Sequence, residues 1–191
     1  MKKMFSVNKG DFQYMKNRKT RLLITSIFLV ISVLIIYFTG IILYDTNKSV
    51  YSVIAAVASL PAAKTITLLI VSLPYKSGTK ESYDVIYDIV SKKNGRVLCD
   101  LAITSEQKVT YLMYTCIIDT HVVMYTEYKK IDISYGESYI KKRLDENCNY
   151  ASIKIYNDYT GFVKRLNAIK GLEEISNMDE RISNKLLTYS M

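Results

Sequence analysis

With 191 residues, 49% of them hydrophobic, and a formal net charge of +8, the chain has room for one or two domains. The charge is uneven: Met1 to Arg21 carries seven Lys and Arg against Asp11 alone, whereas Pro74 to Met191 carries 17 basic and 16 acidic residues. That nearly neutral C-terminal part lacks the basic footprint that phosphate binding needs, so no nucleic-acid partner is expected.

The basic segment 1–21 precedes Leu22 to Tyr44, a run of 23 residues without a formal charge. As a helix it would be about 34 Å long, enough for a hydrocarbon core of about 30 Å. A secretory signal would have a shorter apolar region and a small-residue cleavage site. This run ends in Leu43-Tyr44-Asp45 instead, and reads as a retained anchor. After the polar stretch "YDTNKS" the chain is apolar again from Val50 to Leu73, interrupted by Pro61 and Lys64.

A segment stopping at Lys64 would be too short to cross, so the second span is read as the whole of 50–73. Its eleven Leu, Ile and Val residues favour insertion by about 5 kcal/mol in total, against roughly 3 kcal/mol for one lysine near the centre. Lys64 is expected to snorkel toward the headgroups beyond Leu73. Ser52, Ala56, Ser59 and Ala63 fall on one side of this helix, a small-residue stripe suited to packing on the first span or on another copy of the protein.

The excess of basic residues before span one predicts both termini in the cytoplasm, with "DTNKS" outside. The expected location is therefore the cell membrane, multi-pass. Tyr44 and Tyr51 would mark the outer interface and Tyr75 the inner one.

Pro74 to Gly78 reads as a linker to a cytoplasmic domain, 74–191. Tyr83, Ile86, Tyr87 and Val90 recur at helical spacing, predicting a helix over Thr79 to Lys92 that ends at Asn94-Gly95. Three strands follow, over Arg96 to Ile103, Lys108 to Ile118 and Thr120 to Lys129, the last two joined at Asp119. "SYGE", Ser134 to Glu137, has capping-box spacing before a helix with Ile140, Leu144 and Cys148 on one side. Ala151 to Tyr156 reads as a short strand. Asp158 to Gly161 reads as a capped turn into a helix carrying Phe162, Val163, Leu166 and Ile169. A second capping box, Ser176 to Asp179, opens a last helix with Met178, Ile182, Leu186 and Tyr189 inward. The expected fold class is α+β, in the order α-β-β-β-α-β-α-α after the hairpin, with a mainly antiparallel sheet.

Chemistry is sparsely marked. Cys99, Cys116 and Cys148 form no CxxC pair and have one histidine, His121, among them, so neither a zinc site nor a disulfide framework is indicated. His121 reads as a strand-end residue. Phosphate-loop, dinucleotide and hydrolase motifs are missing, and no cofactor is expected. Tyr111, Tyr114, Tyr125 and Tyr128 could make a stacking platform or simply pack across strands. The order α-β-β-β-α-β resembles restriction-endonuclease-like nucleases, whose metal site uses an acidic residue with E-x-K. That resemblance implies Asp119, Glu127 and Lys129 as the catalytic set, with Glu81 as a further acid. Strand alternation would put Glu127 and Lys129 on one face.

The basic start, "TNKS", "LPAAK" and the mixed domain that follows resemble uncharacterised two-span membrane proteins of Gram-positive bacteria. The many Ile, Lys, Asn and Tyr residues and the absence of Trp fit a bacterial, AT-rich coding bias. The family resemblance implies a topology and no activity. The expectation is a non-enzymatic accessory or regulatory membrane protein, partnered by the bilayer and by a second copy or another membrane protein. A membrane-tethered nuclease is the alternative.

Overall fold

The computed structural model describes residues 7–46, 49–105, 108–145 (only the backbone of Asp145), 150, 152–171 and 177–190. The chain divides into two compact units. One is Met15–Pro74; the other joins the segment before it, up to Tyr14, to the chain from Tyr75 onward.

The first unit is a pair of helices, α1 (Tyr14–Tyr44) and α2 (Val50–Ser72). α1 starts eight residues ahead of the uncharged run, so Lys16, Arg18, Lys19 and Arg21 lie on its first turns. α2 runs through Pro61 without interruption. Both helices are long and apolar enough to span a membrane, with mean hydropathies of 2.7 and 1.9 and only 11% of each stretch buried. The helices lie antiparallel. At one end Tyr44 and Tyr51 are 5.8 Å apart and a Cβ added at Gly40 would sit 2.5 Å from the Tyr51 Cβ. At the other, Lys19 Nζ donates to the Leu73 carbonyl at 2.9 Å, where a cation suits a helix C-terminus.

The less exposed residues of each helix alternate at three- and four-residue spacing: Leu22, Ser26, Leu29, Val33, Ile36 and Gly40 on α1, and Tyr51, Ala55, Ala58, Ala62, Thr65, Leu69 and Ser72 on α2. That spacing repeats as a heptad along each helix, and at one end it sets Gly40 of α1 against Tyr51 of α2. Hydroxyls along both helices bond back to their own carbonyls, as Ser32 to Phe28, Thr39 to Ile35, Ser59 to Ala56 and Thr67 to Ala63 do. Side chains of this kind carry no unmet polar group into an apolar surrounding.

The second unit is α+β: α3 (Lys80–Ser91), β1 (Arg96–Thr104), β2 (Val109–Ile118), β3 (His121–Tyr125), α4 (Ile133–Asp145), β4 (Ser152–Tyr156), α5 (Tyr159–Ala168) and α6 (Asn177–Tyr189). Its four-stranded sheet has the order β1-β2-β3-β4, antiparallel except for the β3–β4 pair. The crossover α4 permits that parallel pair. α3 and α5 cover one face; α4 and α6 cover the other. Between the latter pair and the sheet lie Leu101, Ile103, Leu112, Ile117, Met124, Ile140, Leu144, Ile182 and Leu186. Helices on both faces bury β2 almost throughout, so its sequence shows no alternation.

Local contacts explain where the elements end. Asp119 and Thr120 both have left-handed φ, 48° and 63°, as a two-residue hairpin turn requires. Asp179 stabilises that turn by accepting the Thr120 amide at 2.8 Å. β3 stops at Tyr125, four residues before the sequence suggests, because Thr126 Oγ1 accepts the Tyr128 amide and turns the chain. α4 is capped by Asp132, which accepts the Tyr135 amide, instead of by Ser134. Glu137, read as half of that capping box, accepts the Ile155 amide of edge strand β4 instead. Ser176, of the second box, and Cys148 lie outside the described residues.

Candidate functional site

Edge strand β1 is where the second unit receives both chain connections to the helix pair. Ahead of α1, Gly10 forms an antiparallel bridge with Cys99, whose amide donates to the Gly10 carbonyl at 2.7 Å. Gly10 has φ of +87°, and an added Cβ would meet Leu187 at 2.8 Å and Leu98 at 3.1 Å. Only glycine combines that backbone with that approach. Phe12 then stacks on Tyr83 of α3, centroids 4.5 Å apart. Farther along the same strand, Ser190 bridges Ile103, and Lys9 Nζ donates to the Ser190 carbonyl at 2.9 Å. Together these contacts cover the outer edge of β1 and block open strand pairing there.

After α2, the linker 75–79 crosses the face of the sheet beside the same residues. Tyr75 stacks on Tyr111, centroids 4.7 Å apart, and meets Tyr128 edge-on at 5.7 Å. Ser77 Oγ donates to Asp100 Oδ2 at 2.6 Å. The Tyr111 hydroxyl lies 2.7 Å from Asp100 Oδ1 and 2.9 Å from the Lys76 carbonyl. The Tyr114 hydroxyl donates to the Thr79 carbonyl at 3.2 Å and leaves no room for a side chain at Gly78. Asp100 is a buried carboxylate on a residue with φ of 55°. Side-chain alternation changes phase there: Leu98, Leu101 and Ile103 share one core, which strict alternation forbids for the first two.

Burial, then the Asp100 charge and hydrogen bond, push the Tyr111 hydroxyl far above its ordinary range. Burial also raises Tyr114, Cys99 and Cys116 well above theirs. These groups stay protonated at neutral pH. The Tyr111 and Tyr114 hydroxyls hold the linker, and neither cysteine is a reactive thiolate.

A cleft of about 230 Å³ opens near Tyr128, lined by Lys108, Thr110, Lys130, Asp132 and Tyr135 among others. Lys108 is 3.1 Å from Asp132 and 5.3 Å from the Tyr135 ring centre. The Tyr135 amide and then Lys108 hold the Asp132 carboxyl below its ordinary range. The cleft's charges therefore largely satisfy each other.

The residues of the nuclease reading do not converge. Asp119 is in the β2–β3 turn, and Glu127 lies beyond the far end of β3. Roughly 16 Å of strand separates the two ends. Glu127 and Lys129 are both exposed in the loop, where strand alternation no longer puts them on a common face. Glu81 is exposed in the first turn of α3. Among the described residues, no group of three or more His, Cys, Asp or Glu could hold a metal ion. His121 Nδ1 lies 2.7 Å from Ser152 Oγ at the start of β3. Tyr111, Tyr114 and Tyr125 are buried, with Tyr114 and Tyr125 stacked 6.3 Å apart. They pack across strands and present no open platform.

In the helix pair, Ala56, Ser59 and Ala63 are exposed and Ser52 is partly so. The seam against α1 runs instead through Ala55, Ala58 and Ala62. Lys64 is exposed as well, about 130° around α2 from that seam. The sequence pattern did not reveal the β1 junction. The lone glycine of the N-terminal segment, Gly10, and the lone aspartate in an apolar strand, Asp100, were its available signals. No protein-family model, curated protein or solved structure matches the chain.

Proposed function

We propose that the helix pair crosses the cell membrane, and that the α+β unit stands in the cytoplasm as the binding module of an accessory or regulatory protein. The observation that carries this reading is the exposure of apolar side chains on helices of spanning length. Phe28 is 68% exposed, Ile42 78%, Val50 73% and Leu60 67%. Core helices bury such residues; a bilayer covers them at no hydrophobic cost. The excess of Lys and Arg ahead of Leu22 supports cytoplasmic termini.

A binding role is favoured over catalysis by what the polar groups do. Asp100, Ser77 and Tyr111 hold the linker, Asp179 holds a turn, and Glu137 holds a strand edge. The test is purification of the full chain from membranes in mild detergent, followed by mass measurement and assays for nuclease activity with Mg²⁺ or Mn²⁺. The binding role predicts a defined complex without hydrolysis. A solitary monomer that cleaves plasmid or single-stranded DNA would overturn it.

A further inference from the structure

Resting on the membrane reading above, we infer that the Lys64 face of α2 docks a transmembrane helix of a different protein, one carrying a carboxylate at mid-membrane depth. Lys64 lies nine residues before Leu73, about 13 Å along the helix, and about 21 Å from Val50. Its stem reaches about 6 Å. The Cα–Cβ bonds of a helix tilt toward its N-terminus, here away from the nearer interface. Leaning that way carries the ammonium toward the middle of the span, and leaning the other way leaves it several ångströms short of Leu73. Snorkelling alone therefore does not take this charge out of the hydrocarbon.

No partner for it exists within the helix pair. Neither α1 nor α2 contains an Asp or Glu. The seam with α1 is on another side of α2, through Ala55, Ala58 and Ala62. Around Lys64 lie Val57, Leu60, Thr67 and Val71, all exposed, an apolar helix face with one cation in it. Intramembrane cations are retained where an anion or water meets them. A second copy cannot supply the anion, since its spans hold the same lysine and no carboxylate. Charge complementarity thus selects a foreign helix with Asp or Glu at matching depth.

The test uses the full chain in phosphatidylcholine vesicles, with the photocrosslinking residue p-benzoylphenylalanine at Leu60. The probe is a synthetic 23-residue Leu/Ala transmembrane peptide with a single central Asp, compared with its Asn counterpart. Crosslinking to the Asp peptide is expected to exceed that to the Asn peptide at least tenfold. It should be lost in Lys64→Met, while Lys64→Glu should favour a peptide with a central Lys. Lys64 is exposed in the helix pair, so these variants should keep the helix content of the parent by circular dichroism. Equal crosslinking of the Asp and Asn peptides would overturn the inference. So would chain-to-chain crosslinks that persist in Lys64→Met, which would make this face a contact between copies. Extraction of the chain from the vesicles by alkaline carbonate would instead overturn the membrane reading, separating the two failures.

Discussion

The Cys99 amide donates to the Gly10 carbonyl at 2.7 Å, so the segment ahead of α1 is bonded to edge strand β1 of the second unit. The next residue, Asp100, accepts the hydroxyl of Ser77 from the linker after α2. Two consecutive residues of one strand thus hold both chain connections to the helix pair.

Replacing Gly10 should break the first of these links. Gly10→Val combines a disfavoured φ with collisions at Leu187 and Leu98. A loss of about 2 kcal/mol is expected from strain and overpacking. Chemical denaturation of the full chain in detergent reads the loss, and hydrogen exchange should show the Cys99 amide losing protection.

The second link depends on Asp100 keeping its donors. Tyr111→Phe removes one and leaves a buried carboxylate short of a hydrogen bond, at a cost of about 2 kcal/mol. Asp100→Asn with Tyr111→Phe should cost less than the sum of the two single changes, because the groups form one network. A double-mutant cycle on denaturation midpoints measures that coupling.

Stability should fall at alkaline pH. Tyr111, Tyr114, Cys99 and Cys116 all have folded-state pKa values raised above the ordinary 10.0 and 9.0, with burial as the first cause. The unfolded chain releases these protons first, so the stabilisation is complete below about pH 9 and is lost as pH rises toward the folded values. Each group contributes about 1.4 kcal/mol per pH unit once its unfolded form is ionised. Denaturation midpoints between pH 7 and 11 check this, and Tyr111→Phe should flatten the curve. By the same cause, Cys99 and Cys116 should react with thiol reagents only after unfolding.

Within the helix pair, Gly40 and Ser26 make opposite predictions. Gly40→Val puts a Cβ where Tyr51 and Ser49 already lie and should force the helices apart. Ser26 is buried with no partner for its hydroxyl among the described residues, so Ser26→Ala should be neutral or stabilising. Thermal melting of the full chain in detergent compares the two.

Much of this architecture was legible from residue patterns, because hydrophobic period and charge-free length are local properties. The order of elements after Gly78 follows the reading from Tyr83, Ile86 and Val90 onward, and Asp158 caps α5 as its spacing suggests. The misplacements come from long-range partners. Glu137 has the spacing of a cap, yet the edge amide of Ile155 claims it. Thr126 ends β3 early, which takes Glu127 and Lys129 off the strand. On α2 two small-residue lines were available, and the phase of Ser26, Val33 and Gly40 on α1 selects Ala55, Ala58 and Ala62. The β1 junction was hidden because Gly10, Ser77 and Asp100 are distant in sequence and carry no motif.

The central claim is that the helix pair crosses a membrane with both of its ends on the cytoplasmic side. Its most direct test is cysteine labelling in intact cells, with Cys99, Cys116 and Cys148 changed to alanine. A single cysteine replaces Asn47 in one variant and Lys80 in another. An impermeant maleimide added outside should label the first and leave the second unmodified until the membrane is opened. Labelling of position 80 in intact cells, with position 47 protected, would contradict the account.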